Sequence, residues 1–149
     1  MANTIKLKKY LDLLEEYTAT AAVITPGMLL EVTSTGAVKA HATAGGNVLP
    51  MFALEDELQG NGIADNYAAS AKIQVWVPQR GEEVNAILAA GQNVSIGDFL
   101  ESNGAGKLRA HGADSTGIYY PNVIVGIAMA AVDLSGSGAV DTKIRVKII

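Results

Sequence analysis

Two runs of acids, Glu55-Asp56-Glu57 and Glu82-Glu83, are the densest groups able to move protons in this sequence. Paired carboxyls hydrolyse glycosidic bonds when a cleft fixes their separation and their environments set one as the acid. Neither run has neighbours that specify a cleft, so both are expected on solvated turns. His41 and His111 are the only histidines. A metal would need a further carboxylate beside them. They end equivalent segments of an internal repeat, described below, which places them apart. The chain has no cysteine, which removes thiolate metal sites, thiol nucleophiles and disulfides. No Gly-x-Ser-x-Gly elbow occurs. Gly104-Ala-Gly-Lys-Leu108 lacks the first glycine of a phosphate loop and carries Leu in place of its Ser or Thr. Asn93-Val94-Ser95 is a sequon, read as chance without a secretory signal. No catalytic, cofactor-binding or metal residue is assigned, no cofactor is implied, and the expectation is a protein that is not an enzyme.

Two other groups could make contacts. Lys143, Arg145 and Lys147 recur at every second position near the C-terminus, on one face of a strand. Such a face protects a sheet edge or meets an acidic partner. Near the N-terminus, Ile5, Lys6, Leu7, Lys8, Lys9, Tyr10, Leu11, Leu14 and Tyr17 mix apolar and basic groups. Leu7, Leu11 and Leu14 stand at helical spacing, so Lys6 to Glu16 reads either as a short helix or as an arm that orders on binding. These nine residues are the candidate contacts, on an arm of residues 1–17 preceding one β domain of residues 18–149.

The elements that must carry these groups follow from composition and spacing. The chain has 149 residues, the size of one domain, with 49% hydrophobic and 17% charged residues, a globular profile. A net charge of −4 and a pI near 5.1 do not suit a polyanion, so nucleic acid is not an expected partner. Charges interrupt the first residues, and no run of 18 apolar residues occurs. Neither a secretory signal nor a membrane span is expected, and synthesis in a cytoplasm is. Glycine-bearing turn signals recur about every ten residues, the rhythm of a β sandwich or barrel. Lys72 to Val77 and Lys143 to Ile148 alternate as half-buried strands do. Val123 to Ala128 reads as a strand buried on both faces, Val48 to Leu54 as a weaker one. Glu82 to Ala90 suits a helix by propensity, but it is short and bounded by a glycine on each side, which favours a strand.

The strongest organising signal is a repeat. Residues 25–41 align without gaps to 95–111, an offset of 70, with Gly27/Gly97, Leu30/Leu100, Glu31/Glu101, Gly36/Gly106, Ala40/Ala110 and His41/His111 identical. Lys72 to Val77 echoes Lys143 to Ile148. Each copy reads as a hairpin launched by one glycine turn and returned by another. The fold expected is mainly β, a jelly-roll, β-tulip or β-clip-like barrel built from two related halves, 25–78 and 95–149.

In order along the chain, Thr25-Pro-Gly-Met-Leu-Leu-Glu, Gly36-Ala-Val-Lys-Ala-His, Phe52-Ala-Leu-Glu, the stretch from Arg80 to Gly91, and Gly97-Asp-Phe-Leu-Glu-Ser resemble the capsid decoration (head cement) proteins of tailed bacteriophages. The resemblance implies a virion protein made in the host bacterial cytoplasm and bound to the outer surface of the mature head. It implies a homotrimer at three-fold and quasi-three-fold axes that stabilises the shell. Its partners would be the major capsid protein and neighbouring decoration trimers, without nucleic acid or membrane. The terminal arm of that family corresponds to Ala2 to Tyr17. A carbohydrate- or receptor-binding β-sandwich on a virion is the alternative, with Trp76 the single Trp that could stack on a sugar, and a small carboxylate hydrolase a further one.

Overall fold

A computed structural model describes residues 4–8, 14–20, 22–112 and 121–149. Among them the chain is built from short strands: β1 (Lys6–Lys8), β2 (Leu14–Thr18), β3 (Leu30–Val32), β4 (Val38–Ala40), β5 (Phe52–Ala53), β6 (Lys72–Trp76), β7 (Glu83–Leu88), β8 (Asn93–Val94), β9 (Phe99–Ser102), β10 (Leu108–Ala110), β11 (Ile124–Ala128), β12 (Val132–Asp133) and β13 (Thr142–Ile148). Single 3₁₀ turns occupy Glu57–Gln59 and Pro121–Val123. Glu83–Leu88 is a strand, as its glycine bounds suggest, and Ile124–Ala128 is mostly buried on both faces.

The second half closes on itself. β7 pairs with β13, β13 with β11, β11 with β9, β9 with β10, and β10 returns in parallel to β7 at Leu108↔Leu88. This is a five-stranded barrel. Its inward side chains come from alternate positions: Val84, Ala86 and Leu88 face Val146 and Ile144, with Leu100, Leu108 and Ala128 completing the core. β11 carries Gly126 opposite Ile148, where an added Cβ would collide with the Lys147 carbonyl and meet Val146 Cγ1 at 2.8 Å.

The first half repeats the circuit in miniature. β2 pairs with β6 and β6 with β5. Single bridges then join Phe52 to Leu29, beside β3, and Val38 of β4 to Ala19, beside β2. Equivalence extends to individual hydrogen bonds. The Thr20 amide donates to the Val38 carbonyl and the Ala89 amide to the Leu108 carbonyl, both at 2.9 Å. The Leu54 amide donates to Gln74 and the Met129 amide to Arg145, again both at 2.9 Å. The hairpins keep one register, Leu30↔Ala40 and Glu31↔Lys39 in the first, Leu100↔Ala110 and Glu101↔Arg109 in the second. Leu14–Thr18 thus occupies in the first circuit the place of β7 in the second. Sequence alone does not show that correspondence, because no residue type is shared along it.

Two apolar clusters result. Ile24, Leu30, Val38, Met51, Ala53, Ile73 and Val75 fill the first circuit. The larger cluster fills the barrel and also takes in Leu29, Phe52, Leu54 and Trp76, which point out of the first circuit. Trp76 is fully enclosed. An anchor of this kind contributes about 1.5–3 kcal/mol or more by burial, and here it welds the two halves together.

The helical alternative for Lys6 to Glu16 is not what forms at its described ends. Lys6–Lys8 pairs with β7, and Leu14–Thr18 pairs along its whole length with β6. Two open backbone edges outweigh the local helical spacing, since every strand residue added there satisfies backbone groups across the ladder. Lys9, Tyr10 and Leu11 lie outside the described residues.

Candidate interaction surfaces

The acids read as solvated turns are, in three cases, enclosed clamps. Glu55 accepts from Thr4 Oγ1 at 2.6 Å and from the Ile5 amide at 3.2 Å, fastening the N-terminal strand to the first half. Glu82 accepts from the Gln79 amide at 2.6 Å. Glu83, only 1% exposed, takes Arg145 Nη2 at 2.6 Å and Lys147 Nζ at 3.6 Å. Only Glu57 of these runs is exposed at a turn. The cationic row on β13 is therefore not an edge face, because β13 is paired on both sides and Arg145 and Lys147 converge on Glu83.

The histidines are not far apart in their attachments. His111 Nδ1 lies 2.5 Å from Glu101 Oε2, and His41 Nδ1 lies 2.8 Å from Ser102 Oγ, the next residue of β9. The repeat brings this about by stacking one hairpin on the other. The Gly106 amide donates to the His41 carbonyl, and the Leu29 amide to the Gly106 carbonyl. Each copy holds a glutamate, a cation and a histidine together. Glu31 faces Lys39 at 3.0 Å and His41 at 3.7 Å, while Glu101 faces Arg109 at 2.6 Å and His111. Burial opposes ionisation of Glu31, but Lys39, the Ala42 amide and His41 outweigh it and hold its carboxyl below the usual range. Among the described residues no group of three His, Asp or Glu side chains is placed to hold a metal.

Lys143 departs from the rest of its row. Its ammonium donates to the Pro26 carbonyl, inside the junction of the two halves. Burial lowers its pKa to about 8, with Glu55 opposing the shift. The adjoining hollow, about 330 Å³, is lined by Thr25, Met28, Ile87, Lys107, Asp141 and Thr142. Lys143 lines it as well, and Lys107 and Asp141 pair there at 2.6 Å, which lowers the Asp141 pKa.

The nine N-terminal candidates separate. Ile5 is wholly enclosed in the barrel cluster. Lys6, Leu7 and Lys8 form β1 on β7. Leu14 is 44% exposed, and Tyr17 is half-buried with its hydroxyl donating to Glu15. Leu14 and Leu58, the latter 83% exposed, both line a hollow of about 210 Å³ together with Leu54, Glu55 and Gln74. A second exposed apolar pair, Ile96 at 69% and Phe99 at 44%, sits on the turn that launches β9. Sequence reading missed it, although Ile96 stands where the first copy has Pro26 and Phe99 where it has Leu29. Trp76 offers no sugar platform, since it is fully buried; its Nε1 finds no hydrogen-bond acceptor among the described residues. No helix among the described residues is long and apolar enough to cross a membrane.

No family model and no curated protein matches this chain. Among solved structures, the chain is similar in fold to the head fiber gp8.5 N base of bacteriophage phi29, with 11% sequence identity, a TM-score of 0.51, and coverage of 92% of this chain and 98% of that one.

Proposed function

We propose that this protein is a non-enzymatic structural component of a tailed-phage virion that binds the outside of the mature head. The observation that carries this reading is the fold shared with a phage head fiber base along nearly the full length of both chains. The resemblance of the Thr25, Gly36, Phe52 and Gly97 segments to head decoration proteins points the same way. On this reading the protein is a homotrimer at three-fold and quasi-three-fold axes, its partners are the major capsid protein and neighbouring trimers, and its effect is to stabilise the shell. Three weak contacts made at once give avidity without any one of them being strong. The N-terminal segment supplies contacts through groups other than Ile5, which serves the core.

The test is co-sedimentation of the purified chain with cognate heads lacking it, before and after shell expansion. Saturable binding to expanded heads only, near three copies per three-fold site, is expected. Binding to neither form would overturn the reading.

A further inference from the structure

The two halves do not meet symmetrically. The turn Thr25-Pro26-Gly27-Met28 of the first half enters a seam of the second. There the Ile87 amide donates to the Gly27 carbonyl at 3.3 Å, Lys143 caps the Pro26 carbonyl, and the Asn85 amide is taken by Ile5 at 2.8 Å. The seam lies between β7 and β10, whose ladder is limited to the pair Leu108↔Leu88. The repeat supplies both parts of this joint a second time, and among the described residues neither meets a partner of this kind. The equivalent turn, Ser95 to Asp98, is built identically: the Asp98 amide returns to the Ser95 carbonyl as Met28 returns to Thr25, and Gly97 matches Gly27 at φ 93° against 89°. Yet a Cβ on Gly97 meets nothing within 4 Å, whereas one on Gly27 meets Asn85 O at 2.9 Å.

The equivalent seam lies on β2. Its ladder to β6 is anchored where the Ala19 amide donates to Ala71. Alternation of an antiparallel ladder then turns the amides of Glu16 and Thr18 away from β6, as those of Asn85 and Ile87 turn away from β13. No described strand pairs with them on that side, where β2 is the edge of its sheet. Lys72 stands where Lys143 does, with only a loose 3.9 Å approach to Glu16.

We propose that the Ser95–Asp98 turn of one copy enters the β2 seam of a second copy of this chain. Thr18 donates its amide to the Gly97 carbonyl there, and Lys72 caps the carbonyl of Ile96. The joint inside the chain is thereby repeated between chains. Such a contact is head-to-tail, and it ends either in a closed ring or in an open filament. It deepens the homotrimer reading above, under which the ring closes at three chains. The contact between chains is more polar than the one within, because Lys147, across Ile127 from Phe99, stands where the first half has Trp76.

The experiment is light scattering on the full chain, with Ile96→Glu alongside and a thermal melt to show that each variant folds. Wild type is expected at a fixed multiple of 15.4 kDa, three under the trimer reading, and Ile96→Glu at a single chain mass. The chain lacks cysteine, so an Ile96→Cys/Lys72→Cys double variant is expected to give oxidation-dependent covalent oligomers. A wild-type monomer, an Ile96→Glu variant that assembles as wild type does, or a double variant that never cross-links would each overturn the proposal. Assembly without head binding would instead overturn the virion reading and leave this joint standing.

Discussion

Glu31 and Glu101 are the same residue in two copies, and their surroundings divide their roles. Glu31 is 28% exposed and meets Lys39 on an open hairpin. Glu101 is 6% exposed at its side chain and receives Arg109 and His111 together. Glu101→Gln leaves two donors facing a weaker acceptor in a buried place and is expected to lower stability by about 1–3 kcal/mol. Glu31→Gln weakens the pair with Lys39 but keeps an oxygen for the Ala42 amide, and is expected to cost about 0–1 kcal/mol. Urea unfolding of the two variants checks the contrast, and equal losses would refute it. Lys143 makes a pH-dependent contribution. Its pKa is about 8 in the folded chain and near 10.5 in an unfolded one. Between those values the unfolded chain binds more protons, so stability rises with pH as the buried ammonium is neutralised. Tyr67 acts in the opposite sense above pH 10, because burial pushes its phenol up to about 12. The Tm of wild type relative to Lys143→Met is therefore expected to climb between pH 8 and pH 10, and a flat difference would be contrary. None of this was legible in the residue types. Glu83 and Glu57 look alike in sequence; pairing of β7 with β13 brings Arg145 to one and leaves the other exposed.

Strands, hairpins and the repeat were the legible level. Alternation at Lys72 to Val77 and Lys143 to Ile148 located β6 and β13, and the matched glycines located two hairpins of identical register. The equivalence of β2 to β7 was not legible, because Leu-Glu-Glu-Tyr-Thr and Glu-Val-Asn-Ala-Ile share only the role of running beside β6 or β13. The apolar spacing of Leu7, Leu11 and Leu14 suited a helix locally, but open edges on β7 and β6 recruited the two ends as strands. Gly27 and Gly97 let one turn be compared in two settings. Alanine in a left-handed conformation costs about 1–2 kcal/mol at either place. At Gly27 the new methyl also crowds the Asn85 carbonyl and the Lys143 ammonium, adding about 1–3 kcal/mol. Chemical denaturation of Gly27→Ala and Gly97→Ala at low protein concentration reads the difference, and a larger loss at Gly97 would contradict it.

For the whole molecule, duplication yields two cores of unequal size joined by Leu29, Phe52, Leu54 and Trp76. A segment cut away as far as Glu16 would take with it Ile5, the clamp on Glu55 and three of the five residues of β2. Contacts with a head are therefore better tested by single changes at exposed positions. Leu14→Glu, at a side chain 44% exposed, is expected to leave the thermal melt within a few degrees of wild type and to reduce head binding at least tenfold in co-sedimentation. Undiminished binding would remove this position from the contact.

β7 lies between β1 and β13, antiparallel to both, so β1 and β13 run in the same direction on either side of it. Tension drawn between the start of β1 and the end of β13 would act along the strand axes. The six pairs from Thr142↔Leu88 to Lys147↔Glu83 would then be loaded together in shear, not peeled one at a time. A fastener of that geometry yields only when many hydrogen bonds fail at once. The two short pairings of β1, at Lys6↔Val84 and Lys8↔Glu83, would be the first to slip.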